Sequence, residues 1–479
     1  MKRIIFILLL IIVSCTLQAQ STFEKFLGNS WEEGNCVRQT SDGGYIVLGT
    51  YTGDGSLILG MLILTKTDSL GNILWRKDAA EYGLICSWGM NLEITNDKGF
   101  IITGYTNPCN TNANPFLLKT DFSGNQQWVQ IYDSLQTNPM FEPSAQGYDV
   151  IQTGDGGYLL TGIAGSFAVD GEIFILKTDS IGNKLWLMKD TGILIASGNS
   201  ISNAENGNYL IIGTTTDSIS GNGNKYMYLL KIDSIGNKIW GKTYDWNTNN
   251  TSGAVVRMDQ QENYLLLGTR DSTWDAKEII FIKTDTNGNI LWEKSFKKYN
   301  RTYGMDLDIS TDLGYIILGA YNNLNDNEDG IYLIKTDSAG SIQWERLIAN
   351  RGGYSIRQTF DDGYIITGVP STLLIKTNDT GGVVLNINLS PIEKTSSINV
   401  YPNPVINDGF YVSFQTVERS LIIIKLYDYT GKDVCFIRNE NQPQGFYKKY
   451  MPTNNLPPGL YFLTVTINEK ICSNKIIIF

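Results

Sequence analysis

The stretch TDSLGNILW, residues 67–75, decides the fold, because it returns along the chain. It reads TDFSGNQQW at 120–128, TDSIGNKLW at 178–186, IDSIGNKIW at 232–240, TDTNGNILW at 284–292 and TDSAGSIQW at 336–344. A decayed seventh copy, TNDTGGVVL, occupies 377–385. A second phrase alternates with the first: DGGYIVLG (42–49), DKGFIITG (97–104), DGGYLLTG (155–162), NGNYLIIG (206–213), QENYLLLG (261–268), DLGYIILG (312–319) and DDGYIITG (361–368). Two phrases in strict alternation, at a period of roughly fifty residues, mark a repeat architecture.

Each repeat divides into four short strands. Strand A precedes the Gly-Gly-Tyr turn, as in Asn35–Thr40; B is the apolar run Tyr45–Gly49; C is Leu62–Thr67; D is Ile73–Lys77. B and C are almost continuously apolar, which requires burial on both faces of a sheet. Four-stranded sheets packed face to face around an axis meet that requirement, so an all-β, seven-bladed β-propeller is expected. Helical repeats are excluded by the absence of a 3.6-residue period. In the turns Gly supplies positive φ and Asp caps its own turn. The Trp four residues after each C–D turn Gly is expected to wedge between neighbouring blades. Phe23-Glu24-Lys25-Phe26 is similar to the D-strand segment Trp292-Glu293-Lys294-Ser295-Phe296 and stands at nearly the same distance from the next B strand. Residues 22–27 are therefore expected to pair into the last blade and close the ring. Val383–Leu389 competes for the same place.

The Asp-x-x-Gly-x-x-x-Trp phrase resembles the tryptophan-docking motif of quinoprotein-type propellers, over about residues 22–389. Those enzymes bind pyrroloquinoline quinone, usually in eight blades, with a metal and adjacent cysteines. This chain has seven copies, no adjacent cysteines and no position matching the cofactor residues, so the resemblance extends to the fold and no cofactor is expected. After a polar linker, residues 390–397, the texture changes to short strands split by Pro, Gly and Asn turns, as in a small β-sandwich. Tyr401-Pro402-Asn403-Pro404, the Tyr429-x-Gly431 turn, Pro458-Gly459-x-Tyr461 and a Lys475-containing last strand resemble the C-terminal sorting domain of type IX secretion cargo. The resemblance implies that residues 398–479 engage the type IX machinery, and that the chain is released or attached at the outer-membrane surface.

The other end fits export. Lys2 and Arg3 precede an apolar run, Ile4–Val13, too short to span a bilayer but suited to a signal peptide. Cleavage is read between Ala19 and Gln20, leaving a propeller over 20–389. Leaders ending in Ala-Gln resemble those of Bacteroidota. The alternative is a lipoprotein box ending at Cys15. No other stretch is long and apolar enough for a transmembrane helix. The remaining cysteines, Cys36, Cys86, Cys109, Cys435 and Cys472, match no zinc or redox spacing. Cys435 and Cys472 share one segment and could pair.

Composition restricts chemistry. There is no His, which excludes His-dependent triads, His general bases and His-ligated metals. Net charge is −10 with no basic cluster, which disfavours nucleic acid. The loop 325–330, Asn-Asp-Asn-Glu-Asp-Gly, looks like a calcium loop but has Thr336 where the closing Glu belongs; no metal is expected. No catalytic constellation stands out, so the chain is read as a secreted binding module for an extracellular glycan or protein rather than an enzyme. A carboxylate-based glycan-active or quinoprotein-like enzyme, and a structural adhesion protein, are the alternatives. In a propeller the A–B and C–D turns share one face, and here they are short and uniform. The opposite face carries variable loops, where function tends to sit. Its aromatics are Tyr82, Trp88, Phe141, Tyr244, Trp246, Trp274, Tyr299, Tyr303, Tyr321 and Tyr354, of which Trp246 and Trp274 are the first candidates for ligand binding because their neighbours are polar. Asp-Ser-apolar or Asp-Ser-Thr triplets at Ser69, Ser134, Ser180, Ser218, Ser234, Ser272 and Ser338 are similar to the O-glycosylation acceptor pattern of Bacteroidota.

Overall fold

The structure, a computed structural model, describes residues 21–53, 60–84, 86–107, 112–133, 135, 144–165, 171–190, 196–216, 223–244, 250–273, 276–324, 328–383, 398–405, 408–416, 419–428, 433–454, 456–468 and 470–479. The leader, with Cys15, Ala19 and Gln20, lies outside them, as do Cys109, Ser134, Phe141, Ser218, Trp246 and Trp274. The chain divides into two compact units, Met1–Asn386 and Ile387–Phe479.

The first unit is all-β and propeller-like. Its repeats form antiparallel meanders in the order A-B-C-D; the first comprises Glu32–Gln39, Tyr45–Tyr51, Met61–Thr67 and Ile73–Asp78. A single parallel pair, Lys277 with Arg301, joins two neighbouring meanders. The apolar reading of B and C holds: Tyr45, Ile46, Val47, Leu48, Leu62 and Leu64 are all buried, and the cores fill the space between successive sheets. Such sheets bury both faces only against their neighbours, so the repeats stabilise one another in a chain of interfaces.

Three local devices recur. First, Asp68 Oδ1 accepts hydrogen bonds from the Leu70 and Asn72 amides at 2.9 and 2.8 Å, while its Oδ2 accepts from Asn72 Nδ2 at 2.9 Å. Asp121, Asp179, Asp233 and Asp285 repeat this arrangement, which explains the Asp-x-x-Gly-Asn spelling of the turn. Second, the Trp after each turn docks on the turn glycine of the next repeat. A Cβ on Gly124, whose φ is +74°, would lie 2.5 Å from the Trp75 ring, and Trp128, Trp186, Trp240, Trp292 and Trp344 meet Gly182, Gly236, Gly288, Gly340 and Gly381 in the same way. Third, a lysine buried in each C strand reaches the A–B turn carboxylate. Lys66–Asp42, Lys119–Asp97, Lys177–Asp155, Lys335–Asp312 and Lys376–Asp361 lie at 2.7–3.0 Å, and Lys231 pairs with Glu205. The Asp therefore caps its turn and also neutralises an ammonium that the apolar strand would otherwise strand without a partner.

The N-terminal strand completes the last sheet. Phe23–Phe26 runs antiparallel to Leu373–Thr377, with Phe23 opposite Lys376. That is the register of Trp75 opposite Lys66. Phe23 thus occupies a Trp position and docks on Gly71 of the first repeat. The competing segment, beyond Val383, lies outside the described residues.

The second unit packs the sheet Asn399–Tyr401, Gly409–Thr416 and Gly445–Pro452 with the sheet Asp433–Gln442, Ser420–Asp428, Gly459–Ile467 and Lys470–Ile478. Phe410, Val412, Phe414, Ile424, Leu463, Val465 and Ile476 form the core. Asn403 of the Tyr-Pro-Asn-Pro motif accepts from the Ile477 amide at 3.1 Å and donates to the Lys475 carbonyl at 2.5 Å, which pins the motif to the last strand. Cys435 and Cys472 lie on the two outer strands of the second sheet, separated by two others, so the backbone does not bring them together for a disulfide.

Two predictions follow from these contacts. Phe23→Ala should cost about 3 kcal/mol in urea unfolding, the usual toll of a large buried ring; an unchanged midpoint would mean that Phe23–Phe26 does not close the sheet. The second concerns acid. Burial alone would raise the Asp155 carboxyl, but hydrogen bonds from Thr153 and Lys177 outweigh it and hold it at about 2. A lowered carboxyl stabilises the fold above the ordinary carboxylate range and loses that contribution as pH falls toward 2. Asp155→Asn should therefore flatten the loss of melting temperature between pH 5 and pH 2.

Candidate functional site

Strands A converge at the axis of the first unit, and their sequences decide what stands there. Each A strand contains a glycine paired with the B-strand glycine, as Gly89 with Gly104, where a Cβ on Gly104 would lie 1.8 Å from the Trp88 carbonyl oxygen. A β-bulge follows at once, between Gly34 and Cys36, Gly89 and Asn91, Gly147 and Asp149, Gly198 and Ser200, Gly253 and Val255, Gly304 and Asp306, and Gly353 and Ser355. The inner edge of a sheet leaves backbone N–H groups without ladder partners. In three repeats the residue two after the glycine accepts one across to the next repeat. Asp149 accepts the Ile201 amide at 2.9 Å, Asp306 the Ile356 amide at 2.9 Å, and Ser355 the Val37 amide at 3.4 Å.

Two positions further along, charges gather: Arg38, Glu93, Arg257, Asp308 and Arg357. Arg38 donates to Glu93 at 2.6 Å and Arg357 to Asp306 at 2.6 Å. Arg257 approaches Asp306 only to 3.7 Å. Burial would raise the Glu93 carboxyl, but Arg38 outweighs it and holds it low. Burial raises the Asp149 carboxyl, against the pull of Arg257. Burial and the neighbouring Arg357 lower the Arg257 guanidinium. Cys36 lies 3.0 Å from both Arg38 and Asn91, with its thiol pushed up by burial.

The axis has a cavity toward each end. At the A–B turn end, a cavity of about 540 Å³ is bounded by Glu93, Asp149, Gln152, Ser202, Asn203 and Arg257, with Ile94, Ile151 and Ile201 as its apolar wall. At the opposite end, a cavity of about 490 Å³ is lined by Met90, Tyr105, Gln146, Tyr148, Ser197 and Asn199. There the Trp88 and Tyr105 rings stack at 5.1 Å. The Tyr148 hydroxyl donates to Gln146 at 2.9 Å, and burial pushes it up to about 12, so it stays protonated.

The aromatics expected at the working surface separate into two groups. Tyr244 is buried, not exposed, and its hydroxyl donates to the Gly288 carbonyl of the next repeat at 3.0 Å; Tyr82 does the same to Gly124. Tyr321 is buried and donates to Glu328 at 3.0 Å, and Tyr299 packs on it with ring centroids 5.1 Å apart. These rings join repeats and fix loops. Tyr354 and Tyr303, both half-buried, sit one residue after and one before an A-strand glycine, positions equivalent to Tyr148 and Gln146. Ser69, Ser180, Ser234 and Ser338 are exposed at C–D turn tips, while the Ser272 side chain lies outside the described residues. Of the 325–330 loop, residues 325–327 lie outside them too, and Glu328 receives the Tyr321 hydroxyl. The axial charges were missed in the sequence because they appear only when the A segments, the least repetitive part, are aligned on their glycines.

The unit that pins the Tyr-Pro-Asn-Pro motif to its final strand is the part of the chain with a family match. Residues 399–479 match the family described as the secretion system C-terminal sorting domain. The chain thus carries a type IX sorting domain, which marks it for secretion or attachment at the cell surface. No curated protein matches it. Among solved structures it is similar to PorZ, a bacterial surface component of the type IX secretion system of Porphyromonas gingivalis, with 12% identity, a TM-score of 0.43 and coverage of 91% of this chain and 58% of that one. It is also similar to a protein of unknown function from Dyadobacter fermentans (12%, TM-score 0.43, 74% and 99% covered) and to a gluconolactonase from Xanthomonas campestris (10%, TM-score 0.38, 66% and 89% covered). The chain spans 58% of the PorZ structure, and at these TM-scores none of the three carries an argument about its activity. Among the described residues no helix is long and apolar enough to cross a membrane.

Proposed function

We propose that the chain is an exported seven-bladed β-propeller that binds an extracellular glycan, without catalysis, at the axial mouth away from the A–B turns. The observation that carries this reading is the lining of that mouth. Tyr105 and Tyr148 supply rings, Gln146 and Asn199 amides, and Ser197 a hydroxyl, with no charged group among them. Rings offer apolar area to a sugar face, and amides offer donors and acceptors to its hydroxyls. The cavity falls within the roughly 300–1,000 Å³ of small-ligand sites. The seven copies of each phrase, and Phe23 in the last Trp position, support the reading of seven blades. The reading without catalysis rests on the axial carboxylates, each of which already accepts an arginine or an amide: Glu93 from Arg38, Asp306 from Arg357, Asp149 from Asn91 and Ile201.

A glycan array probed with the full purified chain tests the reading. Binding to neutral oligosaccharides is expected, and Tyr148→Ala should weaken it about tenfold, the worth of one aromatic contact. Unchanged binding in that variant would move the site elsewhere. Export is tested separately. A chain ending at residue 397 should accumulate in the periplasm of the native host, and its normal delivery to the surface would remove residues 398–479 from the export route.

A further inference from the structure

We propose that the cavity at the A–B turn end of the axis is a second binding site, for the carboxylate of a uronic acid, with Arg257 as its anchor. The argument is an account of hydrogen-bonding capacity. Asp149 is filled: it accepts from Asn91 Nδ2 at 2.6 Å and from the Val150 and Ile201 amides, both at 2.9 Å. Asp306 is filled by the Leu307 and Ile356 amides and by Arg357. Glu93 is held by the Nε and Nη2 atoms of Arg38. Arg257 differs from the other two arginines. A guanidinium has five N–H donors. Those of Arg257 reach its neighbour's carbonyl, Val256, at 2.8 Å and Ser200 Oγ at 3.4 Å, and its closest carboxylate is the one at 3.7 Å.

The sequence explains why this arginine is left short. The position that carries Asp149 and Asp306 in other repeats is Val255 in its own repeat and Ser200 in the preceding one. An apolar and a small residue thus stand where a carboxylate would have met the guanidinium, which itself lines the cavity. Burial and the repulsion of Arg357 disfavour the Arg257 charge, and an anion beside it would relieve both. A single carboxylate suits the site better than a phosphate, because Glu93 and Asp149 border the same space and would repel a second negative charge. The same cavity is lined by Asn96, Gln152, Asn203 and Ser202, which suit hydroxyl groups, and by Ile151 and Ile201, which suit the apolar face of a ring. A sugar bearing one carboxylate combines these demands. The site is at the opposite end of the axis from Tyr148 and stands or falls independently of the neutral-glycan reading.

Isothermal titration of the full chain with D-galacturonate, D-galactose and inorganic phosphate decides the matter. Galacturonate should bind, at least tenfold more tightly than galactose or phosphate, and more weakly as salt rises. Arg257→Gln should reduce galacturonate affinity at least tenfold, and Tyr148→Ala should leave it unchanged. Because Arg257 is partly buried, Asn203→Asp at the exposed rim provides a second variant; it should weaken galacturonate and spare the melting temperature. The proposal is overturned if galacturonate does not bind, if galactose or phosphate binds as tightly, or if Asn203→Asp leaves galacturonate binding as it was.

Discussion

The structure depends on the contact between the aromatic ring of each D strand and the turn glycine of the next repeat. No repeat can bury both faces of its B and C strands alone, so each sheet is stable only when its neighbour stands at a fixed distance. The ring sets that distance. It fits because the turn residue has no side chain, and a Cβ there would overlap the indole. Tyr82, Tyr132 and Tyr244 reinforce the contact by donating to the carbonyls of Gly124, Gly182 and Gly288, so one glycine receives both an apolar and a polar clamp. Phe23 supplies the ring where the last repeat has only a vestigial phrase, and the chain closes on itself through a strand drawn from its other end.

Closing sheets around an axis creates a second constraint at the inner edge. Backbone amides of the A strands face one another with no strand between them, and leaving such groups buried without acceptors costs about 1–3 kcal/mol each. In three repeats the bulge after the A-strand glycine brings a polar side chain to the point where the next strand's amide needs an acceptor. Asp149, Asp306 and Ser355 meet this need. Buried carboxylates then call for cations, and Arg38 and Arg357 answer them in hydrogen-bonded pairs. The charged axis is thus first a solution to an edge problem, and its chemistry follows from that solution.

Much of this was legible in the sequence. The period, the strands B and C, the Trp wedge and the pairing of Phe23–Phe26 could be read because identical physical demands in every repeat leave identical letters. The sorting domain could be read because its turns combine Pro, Gly and Asn in a specific set. The axial residues could not, since each A strand answers its neighbour rather than a common rule: Cys36, Asn91, Asp149, Ser200, Val255, Asp306 and Ser355 fill one structural position with five residue types. The buried C-strand lysines were a different kind of miss. Lys66, Lys119, Lys177, Lys231, Lys283, Lys335 and Lys376 precede the C–D turn in every repeat, and a lysine recurring in an apolar strand already implied a carboxylate within reach. Tyr244 and Tyr82 fall in the variable segments between repeats, but a ring with a hydroxyl can join two repeats, which position in a loop alone does not distinguish from a ring that meets a ligand.

The same departure from repetition makes the two ends of the axis chemically unlike. Away from the A–B turns, the residues beside the glycines vary among Tyr148, Asn199, Met90 and Tyr354, with Glu33 the carboxylate that Tyr354 faces. Toward the A–B turns, every side chain must fit a network of paired charges, and a change at one position leaves its partner with unused capacity. Ser200 is such a change, since it stands to Arg257 as Asp306 stands to Arg357. A hydroxyl there replaces a carboxylate, and Arg257 is left with a longer ion pair than either Arg38 or Arg357. A symmetrical axis would have satisfied all its charges internally and offered nothing to a ligand. The broken repeat, rather than the regular one, therefore gives the axis a group with bonding capacity to spare.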